Sequence, residues 1–490
     1  MGPQSGSNIA AGKVDYTAMI GSFTGLSSDS RDIRPGYLFA ALPGSKADGA
    51  AFVKDAVARG AAAVLGRAEI APAAAELGVR FIPSDNPRLA LARFAAAFYG
   101  AQPSVVAAVT GTKGKSSIVA FLREIWTANG VAAASLGTVG MVTSKGEIPL
   151  RHTTPDPVEI HRLLAGLKTD GIEHLAIEAS SHGLDQYRLD GVEIAAAGFT
   201  NITRDHMDYH ATFEDYLAAK LRLFSEVVRD GGVAVINMDG DHADRFLAAA
   251  QQRGLQILTV GEAGETIRLA SRQSRGDSQI LAIAYGGHIY NVTLPLAGAF
   301  QVSNALVAAG LAIGLGEAAG KVFAGLAHLK GAPGRLEKIG FAASGAPIYV
   351  DYAHTPDSLE KVLIALRAHT GGRLHVVFGC GGDRDKGKRP LMGEAAAKFA
   401  DDVIVTDDNP RSEDAAAIRK QVLAGAPGAR EIGDRAEAIR AGVAALDGGD
   451  VLVIAGKGHE TGQIVGAEVR PFSDRAEALK AALAAGGRAA

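Results

Sequence analysis

The sequence predicts an α/β protein of three domains. A central parallel-sheet domain with a phosphate-binding loop (P-loop) lies between a small mixed α/β domain and a C-terminal Rossmann-like domain. The chain has 490 residues, enough for about three domains of ~100–200 residues each. Two long stretches alternate short apolar runs with helical patterns, which is typical of parallel sheets covered by helices. Glycine and proline breakers place the predicted domains at residues 1–102, 103–333 and 334–490.

The individual elements follow from the apolar pattern within each domain. In the first domain we expect strands at 37–42 and 61–65, and helices at 52–59 and 89–99. In the central domain we expect strands at 105–110, 174–178, 198–201 and 233–237, helices at 115–129, 157–169, 213–228 and 301–314, and antiparallel strands within 265–295. In the last domain we expect strands at 347–352, 375–378, 402–406 and 451–455.

Composition excludes several classes of protein. A net charge of −3 with a pI near 6.5 gives no general attraction to nucleic acid or to an anionic membrane. Cys380 is the only cysteine, so no intramolecular disulfide can form, which fits a reducing, cytoplasmic setting. The first residues lack the apolar core of a signal peptide, and no run of about 18 uncharged apolar residues predicts a membrane span.

The strongest local signal is a glycine-rich turn between an apolar strand pattern and a helical pattern. The turn reads Gly111-Thr112-Lys113-Gly114-Lys115-Ser116-Ser117. Glycines let backbone N–H groups and a helix N-terminus face an anion. Lys115 can then reach the outer phosphates, and the Ser116 hydroxyl can bind Mg²⁺. The motif is shorter than the full eight-residue loop, so an ordinary strand-to-helix turn is the alternative, but its flanks favour nucleoside triphosphate binding.

Candidate metal ligands follow two strands of the central domain. Glu178 ends an apolar run, and a carboxylate at a strand end beside a phosphate loop is well placed to hold Mg²⁺. The alternative is a surface glutamate. The segment 201–210 is dense in polar residues, including His206 and His210. Structural zinc needs about three or four protein ligands and is not favoured. We therefore expect this loop to give one histidine to a magnesium site, and a polar turn fits His210.

Three further positions carry weaker signals. Thr153 and Thr154 follow a basic pair and could bind substrate oxygens, or form a turn before a helix. Lys220 lies on the apolar stripe of the 213–228 helix, where a lysine is either buried with a lowered pKa or extends to the rim of the stripe. Asn304 could hydrogen-bond an adenine edge or act as a first-turn polar residue.

Polar loops also follow the C-terminal strands. Asp351 and the loops 379–389, 407–411 and 456–460 come directly after apolar runs. Ligands in open parallel sheets gather at the carboxyl ends of strands. The loops are therefore expected to converge on one crevice.

Together these segments resemble the Mur ligases of peptidoglycan synthesis. The resemblance spans nearly the whole chain, including 28–31 and 47–49 in the first domain, and it rests on the following motifs: 110–116, 178–182, 205–210, Lys220, 298–300, Asn304, 333–335, 351–356, 379–385, 408–411 and 456–460. It implies an ATP-dependent amide ligase whose central domain is the ATPase. The loops are most similar to those of members that add meso-diaminopimelate.

The resemblance also implies roles for individual residues. Catalysis and metal binding would use Lys115, Ser116, Glu178, His206 and Lys220, the last as a carbamate beside Mg²⁺. ATP would be bound by residues 111–117 with Asn304, Arg335 and Asp351. A UDP-muramoyl dipeptide would contact Ser28, Ser30, Thr153, Thr154, Ser180, Gln186 and Arg188. Diaminopimelate would contact Arg389, Asp408, Asn409, Pro410, Arg411, Gly456 and Glu460. We expect a monomer with small-molecule partners, in which the last domain closes onto the central one.

Small departures and three alternatives accompany this resemblance. Lys113 stands where the family usually has Asn, Ser116 where it has Thr, and His152 where it often has Asn or Leu. The alternatives are the lysine-adding sister ligase, a folylpolyglutamate synthetase and a regulatory ATP-binding protein without ligase activity. The loop 408–411 argues against the first two. The presence of Glu178, His206 and Lys220 argues against the third.

Overall fold

The computed structural model describes residues 16–44, 48–205 and 207–490. By its contacts the chain divides into two units, and each is built from separate segments. The first unit consists of Met1–Ser104, Thr154–Glu173 and Ala179–Glu193. The second consists of Val105–Thr153, His174–Glu178 and Ile194–Ala490. The predicted boundaries at 102 and 333 stay predictions.

The first unit contains a four-stranded parallel sheet whose strands lie side by side in chain order. Its strands are Gly25–Ser27, Tyr37–Ala40, Ala63–Gly66 and Arg80–Pro83. Its helices are Tyr16–Ile20, Val53–Ala58, Ala71–Glu76, Pro87–Tyr99, Pro157–Thr169 and Ser181–Asp185, with short 3₁₀ turns at Ser30–Asp32, Gly49–Phe52 and Ala68–Ile70. Phe94 is fully buried against Tyr16 and Phe23, so the helix that carries it closes one side of the sheet.

The second unit contains a central sheet of eleven strands, parallel in the middle and antiparallel at both edges. In spatial order the strands are His288–Leu294, Ser278–Tyr285, Ile267–Arg275, Gln256–Gly261, Val233–Asn237, Ile194–Phe199, Val105–Thr110, His174–Glu178, Ala133–Gly137, Gly140–Thr143 and Gly146–Ile148. Its helices are Lys115–Ala128, Phe213–Arg222 with a π-helical turn at Leu223–Val227, Ala243–Gln252, Ala299–Gly314 and Ala319–Leu326. The antiparallel strands predicted within 265–295 are confirmed.

The helix after the phosphate loop is almost entirely buried. Lys115–Ala128 packs against Ala299–Gly314 and against the sheet, and Phe121, Ile125 and Trp126 have no exposed surface. Burial of each such side chain contributes about 1.5–3 kcal/mol. The phosphate loop therefore lies on a helix whose position is fixed by the core.

The same unit contains a seven-stranded C-terminal sheet. Its strands, in spatial order, are Arg430–Glu431, Asp402–Val405, Leu374–Phe378, Val451–Ala455, Pro347–Asp351, Glu337–Phe341 and Arg488–Ala489. A hairpin, Gly462–Val465 and Glu468–Pro471, lies beside it. The helices are Pro356–Arg367, Lys388–Phe399, Ala415–Leu423, Arg435–Ala444 and Asp474–Ala484. Apolar cores lie on both faces, which is typical of a parallel sheet covered by helices.

The architecture thus agrees with the predicted α/β fold class. Within the described ranges, no helix is long and apolar enough to cross a membrane.

Candidate active site

The phosphate loop follows the strand Val105–Thr110, and the helix begins at Lys115. Gly111 and Gly114 adopt φ angles of 145° and 89°, a region that side chains other than glycine rarely occupy. A Cβ at either position would also overlap a neighbouring side chain, Thr200 at Gly111 and Asn304 at Gly114. Both glycines are therefore required by the close packing of the loop.

The next strand end holds the loop in place. Thr112 N donates to Asn201 O at 2.8 Å, and Lys113 N donates to Asn201 Oδ1 at 3.1 Å. The Thr200 hydroxyl donates to Lys113 O at 2.6 Å. Thr200 and Asn201 follow the strand Ile194–Phe199, which pairs with the strand before the loop. No role was predicted for these two residues, because only the adjacency of the two strands places them beside the loop.

Lys115 is turned back onto its own loop. Its Nζ donates to Gly111 O at 2.9 Å and to Thr112 O at 3.1 Å. Burial lowers the pKa of Lys115, with Arg335 adding repulsion and Glu178 opposing the shift. An arriving anion would be a better partner for this ammonium group than two carbonyls.

Lys220 is buried, so the alternative of a side chain extending to the rim of the stripe is wrong. Its side chain is 1% exposed, and its Nζ donates to Gly111 O at 2.8 Å. The Nζ also lies 4.7 Å from the centre of the Tyr216 ring. Burial, together with repulsion from Lys115, holds the pKa of Lys220 well below its usual range. Two lysines therefore converge on one carbonyl of the phosphate loop.

Glu178 ends the strand beside the phosphate loop and is buried, so the alternative of a surface glutamate is wrong. Its Oε1 accepts from Thr138 N at 2.8 Å, and a Cβ on Gly137 would overlap the carboxylate. Glu178 and the buried Ser116 line one small cavity. A hydroxyl and a carboxylate are the oxygen ligands that Mg²⁺ accepts, so these residues fit that ion.

The remaining predicted metal ligand, His206, lies outside the described residues. Within 16–44, 48–205 and 207–490, no three His, Cys, Asp or Glu side chains cluster as a metal site. Protein ligands from the described residues would therefore need to be completed by phosphate oxygens or water.

Asn304 and Arg335 are linked through Gln301, and Asp351 binds the backbone of Leu336, the residue after Arg335. Asn304 Nδ2 donates to Gln301 Oε1 at 3.1 Å, and Gln301 Nε2 donates to Arg335 O at 3.2 Å. The Arg335 guanidinium lies 4.7 Å from the centre of the Tyr352 ring. Asp351 accepts from two backbone N–H groups at 2.7 Å each, yet burial raises its pKa to about 6. The structure thus places all three predicted residues in the second unit with the phosphate loop.

The residues predicted to contact the dipeptide fall into both units. In the first unit Thr154 Oγ1 accepts from Ser180 N at 3.1 Å, and Arg188 Nη1 donates to Thr154 O at 2.5 Å. Arg188 also contacts Gln186 Oε1, at 2.8 Å from Nη2. Thr153 belongs to the second unit, where its hydroxyl lies 3.0 Å from that of Thr138.

The two serines predicted for the same substrate lie in the first unit. Ser30 is buried, and its hydrogen bond to Asp55 lowers the pKa of that carboxyl. Ser28 is exposed, directly after the strand Gly25–Ser27.

A buried lysine connects two of the C-terminal loops. Lys457 Nζ donates to Asn409 Oδ1 and to Glu460 Oε2, each at 3.0 Å. Asn409 Nδ2 donates to the same Glu460 oxygen at 2.9 Å. Asp408 is buried 4.0 Å from Lys457, and a Cβ on Gly456 would lie 2.7 Å from its Oδ2. Lys457 lies within the motif 456–460, but no role was predicted for it.

Arg389, in the loop 379–389, and Arg411, in the loop 407–411, differ in burial and in their partners. Arg389 is fully buried, with Nη1 and Nη2 on the Glu413 carboxylate at 3.0 and 2.9 Å and Nη1 on Gln421 at 2.8 Å. Its guanidinium is therefore already engaged within the protein. Arg411 is half-buried, and its Nη1 donates to Gly382 O at 2.8 Å. Pro410, just before it, packs against Gly382.

The structure places a third arginine, Arg384, beside Arg411, although no role was predicted for it. It is exposed on the loop 379–389, and its side chain and that of Arg411 both flank Gly381. The sequence does not predict that Arg389 is buried and Arg384 is exposed, because that depends on which arginine binds Glu413.

Comparison with known proteins matches three family descriptions along the chain. They are the Mur ligase family catalytic domain at residues 22–99, the Mur ligase middle domain at 109–312 and the Mur ligase glutamate ligase domain at 334–458. A UDP-N-acetylmuramoyl-L-alanyl-D-glutamate–2,6-diaminopimelate ligase from Bradyrhizobium diazoefficiens is 59% identical over 94% of this chain and 95% of its own length.

Solved structures give the same picture. A structure of UDP-N-acetylmuramoyl-L-alanyl-D-glutamate–2,6-diaminopimelate ligase is 35% identical, with a TM-score of 0.72 over 94% of this chain and 95% of its own. A folylpolyglutamate synthase from Mycobacterium tuberculosis aligns at 19% identity, with a TM-score of 0.61 over 75% of this chain and 91% of its own. At that identity the second match shows a shared fold alone.

Proposed function

The chain belongs to the Mur ligase family, and from that we propose that it joins meso-2,6-diaminopimelate to UDP-N-acetylmuramoyl-L-alanyl-D-glutamate at the expense of ATP. The observation that carries this proposal is the pairing of two sites in one unit. A phosphate loop with Lys115 lies at the end of the central sheet, and fixed carboxylate, amide and guanidinium groups lie at the ends of the C-terminal strands. The full-length relatives named above support the choice of substrates.

The reaction needs activation because a carboxylate is a poor acylating group. One of the two free carboxylates of the D-glutamate residue attacks the γ-phosphorus of ATP, ADP leaves, and an acyl phosphate forms. The amine then attacks the carbonyl carbon, loses a proton, and expels phosphate from a tetrahedral intermediate. Negative charge develops on the transferred phosphoryl group and on the tetrahedral oxygen, and fixed cations stabilise such charge.

The phosphate loop and the residues around it would bind ATP and the metal ion. Lys115 would turn from the Gly111 and Thr112 carbonyls to the outer phosphates, while N–H groups at the N-terminus of the helix that begins at Lys115 donate to the remaining oxygens. Ser116 and Glu178, with His206 by resemblance, would hold Mg²⁺. That ion would neutralise charge on the phosphate oxygens. Asn304, Arg335 and Asp351 would hold the nucleoside part.

We also propose that Lys220 acts as a carbamate. A lysine whose pKa is well below the usual range has a larger neutral fraction than an ordinary lysine. Its lone pair can attack CO₂, so that an N–C bond forms and a proton leaves. The product is an anion beside Lys115, where it can help to order Mg²⁺.

The dipeptide and the amine substrate would be bound by different groups of residues. Ser28, Ser30, Thr153, Thr154, Ser180, Gln186 and Arg188 would contact the UDP-muramoyl dipeptide. Meso-diaminopimelate differs from L-lysine by a second carboxylate, which a selective site must pair with a cation. Arg411, with the exposed Arg384 beside it, suits that role, because a guanidinium binds a carboxylate through two parallel hydrogen bonds. Asp408, Asn409 and Glu460, beside Gly456 and Pro410, would orient the ammonium group.

Arg389 would shape the diaminopimelate pocket from within the protein. Its contacts with Glu413 and Gln421 hold the loop 379–389 against the neighbouring loop. We further propose a cytoplasmic monomer, since the buried Cys380 fits a reducing compartment and one chain supplies every group named above.

Competition between amines tests the proposal. Phosphate release with ATP and the muramoyl dipeptide is expected with meso-diaminopimelate, and L-lysine is expected to be rejected by about 10⁴-fold in kcat/KM, because it would leave Arg411 desolvated and unpaired. Arg411→Ala should lower kcat/KM for diaminopimelate by about 10²-fold. Lys386→Ala, an exposed change on the loop 379–389, is the control and should behave as the wild type.

Four results would contradict this account in different ways. Equal use of lysine by the wild type would favour the sister ligase. Turnover with a folate in place of the dipeptide would favour a folylpolyglutamate synthetase. An absence of turnover with every amine would favour a regulatory ATP-binding protein. Unchanged diaminopimelate use by Arg411→Ala would show that Arg411 is not the selector.

A further inference from the structure

A fully buried ion pair lies beneath the C-terminal loops and has no part in the chemistry above. Arg435, at the start of its helix, meets Asp474 in the first turn of another helix. Nε and Nη2 of the guanidinium each donate to one carboxylate oxygen, both at 2.7 Å. Neither side chain has any exposed surface. The pair is therefore bidentate and dry.

The same guanidinium also binds two strand ends. Nη2 donates to Ala455 O at 3.0 Å, and Nη1 donates to Asp407 O at 3.2 Å. Ala455 is the last residue of its strand, and Asp407 follows the strand Asp402–Val405. These carbonyls come directly before Gly456 and Asp408, so one side chain fixes the starting points of both loops.

The Asp408 carboxylate packs closely against Gly456, so its position depends on where Arg435 holds the start of the loop 456–460. A Cβ on Gly456 would lie 2.7 Å from Asp408 Oδ2 and 3.8 Å from Arg435 Nη2. The carboxylate and the guanidinium thus flank the same glycine. Among the charged groups that act on Asp408, Arg435 opposes the effect of burial most strongly.

We infer that Arg435 is a positioning residue for the amine substrate, held in its rotamer by Asp474, and that it sets the spacing between the loops 407–411 and 456–460. This inference rests on the proposed function, because it takes those loops as the diaminopimelate site. Stability alone is a weak explanation of the pair, since well-packed apolar residues often replace a buried ion pair without loss. The two carbonyl contacts are what an apolar pair would not reproduce.

Two variants separate positioning from stability. The double variant Arg435→Met with Asp474→Leu removes both charges together and so leaves no buried charge unpaired. Arg435→Lys keeps a charge for Asp474, but an ammonium group cannot repeat the planar set of contacts to both carbonyls. Arg367→Ala is the control, because it removes an exposed ion pair with Asp401, which joins the end of the helix Pro356–Arg367 to the residue before the strand Asp402–Val405.

Steady-state kinetics of the full-length enzyme provide the main measurement. We expect KM for diaminopimelate to rise at least tenfold in both variants, while KM for ATP stays within twofold of the wild-type value and the control does not change. Hydrogen exchange of the substrate-free protein should be faster in 407–411 and 456–460 than in the wild type. A variant that unfolds is identified by circular dichroism, and the other then decides.

Other outcomes overturn the inference. An unchanged KM for diaminopimelate in a folded variant contradicts it, and so does an equal rise in KM for ATP, which indicates general damage to the fold. These results leave the proposed function standing if the wild type turns over with diaminopimelate. A wild type that does not turn over overturns the proposed function and this inference with it.

Discussion

Lys115→Ala is expected to lose nearly all turnover, by about 10³-fold or more in kcat. The Nζ group lies on the carbonyls of the phosphate loop, from which it can reach the outer phosphates of ATP. Its contact with the phosphoryl group strengthens as charge shifts in the transition state, so its loss should fall on kcat as well as on KM. Phosphate release with saturating substrates measures the effect.

Lys113→Ala is the matched control for that variant. Lys113 lies in the same loop, but its side chain is 54% exposed and its nearest ion-pair partner is Asp205, at 4.0 Å. We expect kcat to change by less than about tenfold, the range of an exposed charge near phosphate. Near-normal kcat in a folded Lys115→Ala protein would contradict the assignment of the loop to ATP.

Lys220→Ala is the second variant with a large expected effect. If the neutral amine takes up CO₂, its loss removes an anion from the metal site, and turnover should fall by about 10²–10³-fold. Short carboxylic acids such as formate or acetate should partly restore activity, because they can supply the missing carboxylate. Helix stability should change little, as alanine is the better helix former.

Lys220→Arg separates the carbamate from a simple positive charge. Arginine keeps the cation but stays protonated and cannot take up CO₂. We expect this variant to be as inactive as the alanine variant. Full activity in Lys220→Arg, or an unmodified Lys220 in the electron density of an active crystal form, would contradict the carbamate.

Most strands of the core could be predicted from their apolar runs. Val105–Thr110, His174–Glu178, Val233–Asn237 and Val451–Ala455 occur as expected, because β-branched and leucine side chains fill both faces of a buried parallel strand. The strand Ala133–Gly137 was not predicted. Its alanines, serine and glycine have low strand propensity, and only pairing with a neighbouring strand stabilises it.

Residue roles could be predicted where a motif fixes local geometry. The phosphate loop has the predicted strand and helix on either side. Lys220 is buried, which is one of the two alternatives that its position on the apolar stripe left open. The sequence could not show that Arg389 is engaged by Glu413, that Arg384 is exposed, or that Arg435 reaches two strand ends. These facts depend on contacts between residues 20 or more positions apart, which no local pattern encodes.

The fate of the carboxylate oxygens tests the central claim most directly. The dipeptide is prepared with ¹⁸O in both oxygens of the D-glutamate carboxylate that becomes the amide, and the enzyme is given ATP and meso-diaminopimelate. Activation through an acyl phosphate predicts that each released phosphate carries one ¹⁸O and each amide product retains one. Phosphate without ¹⁸O, with the label in AMP or retained entirely on the dipeptide, would contradict an acyl phosphate and the ligase mechanism built on it.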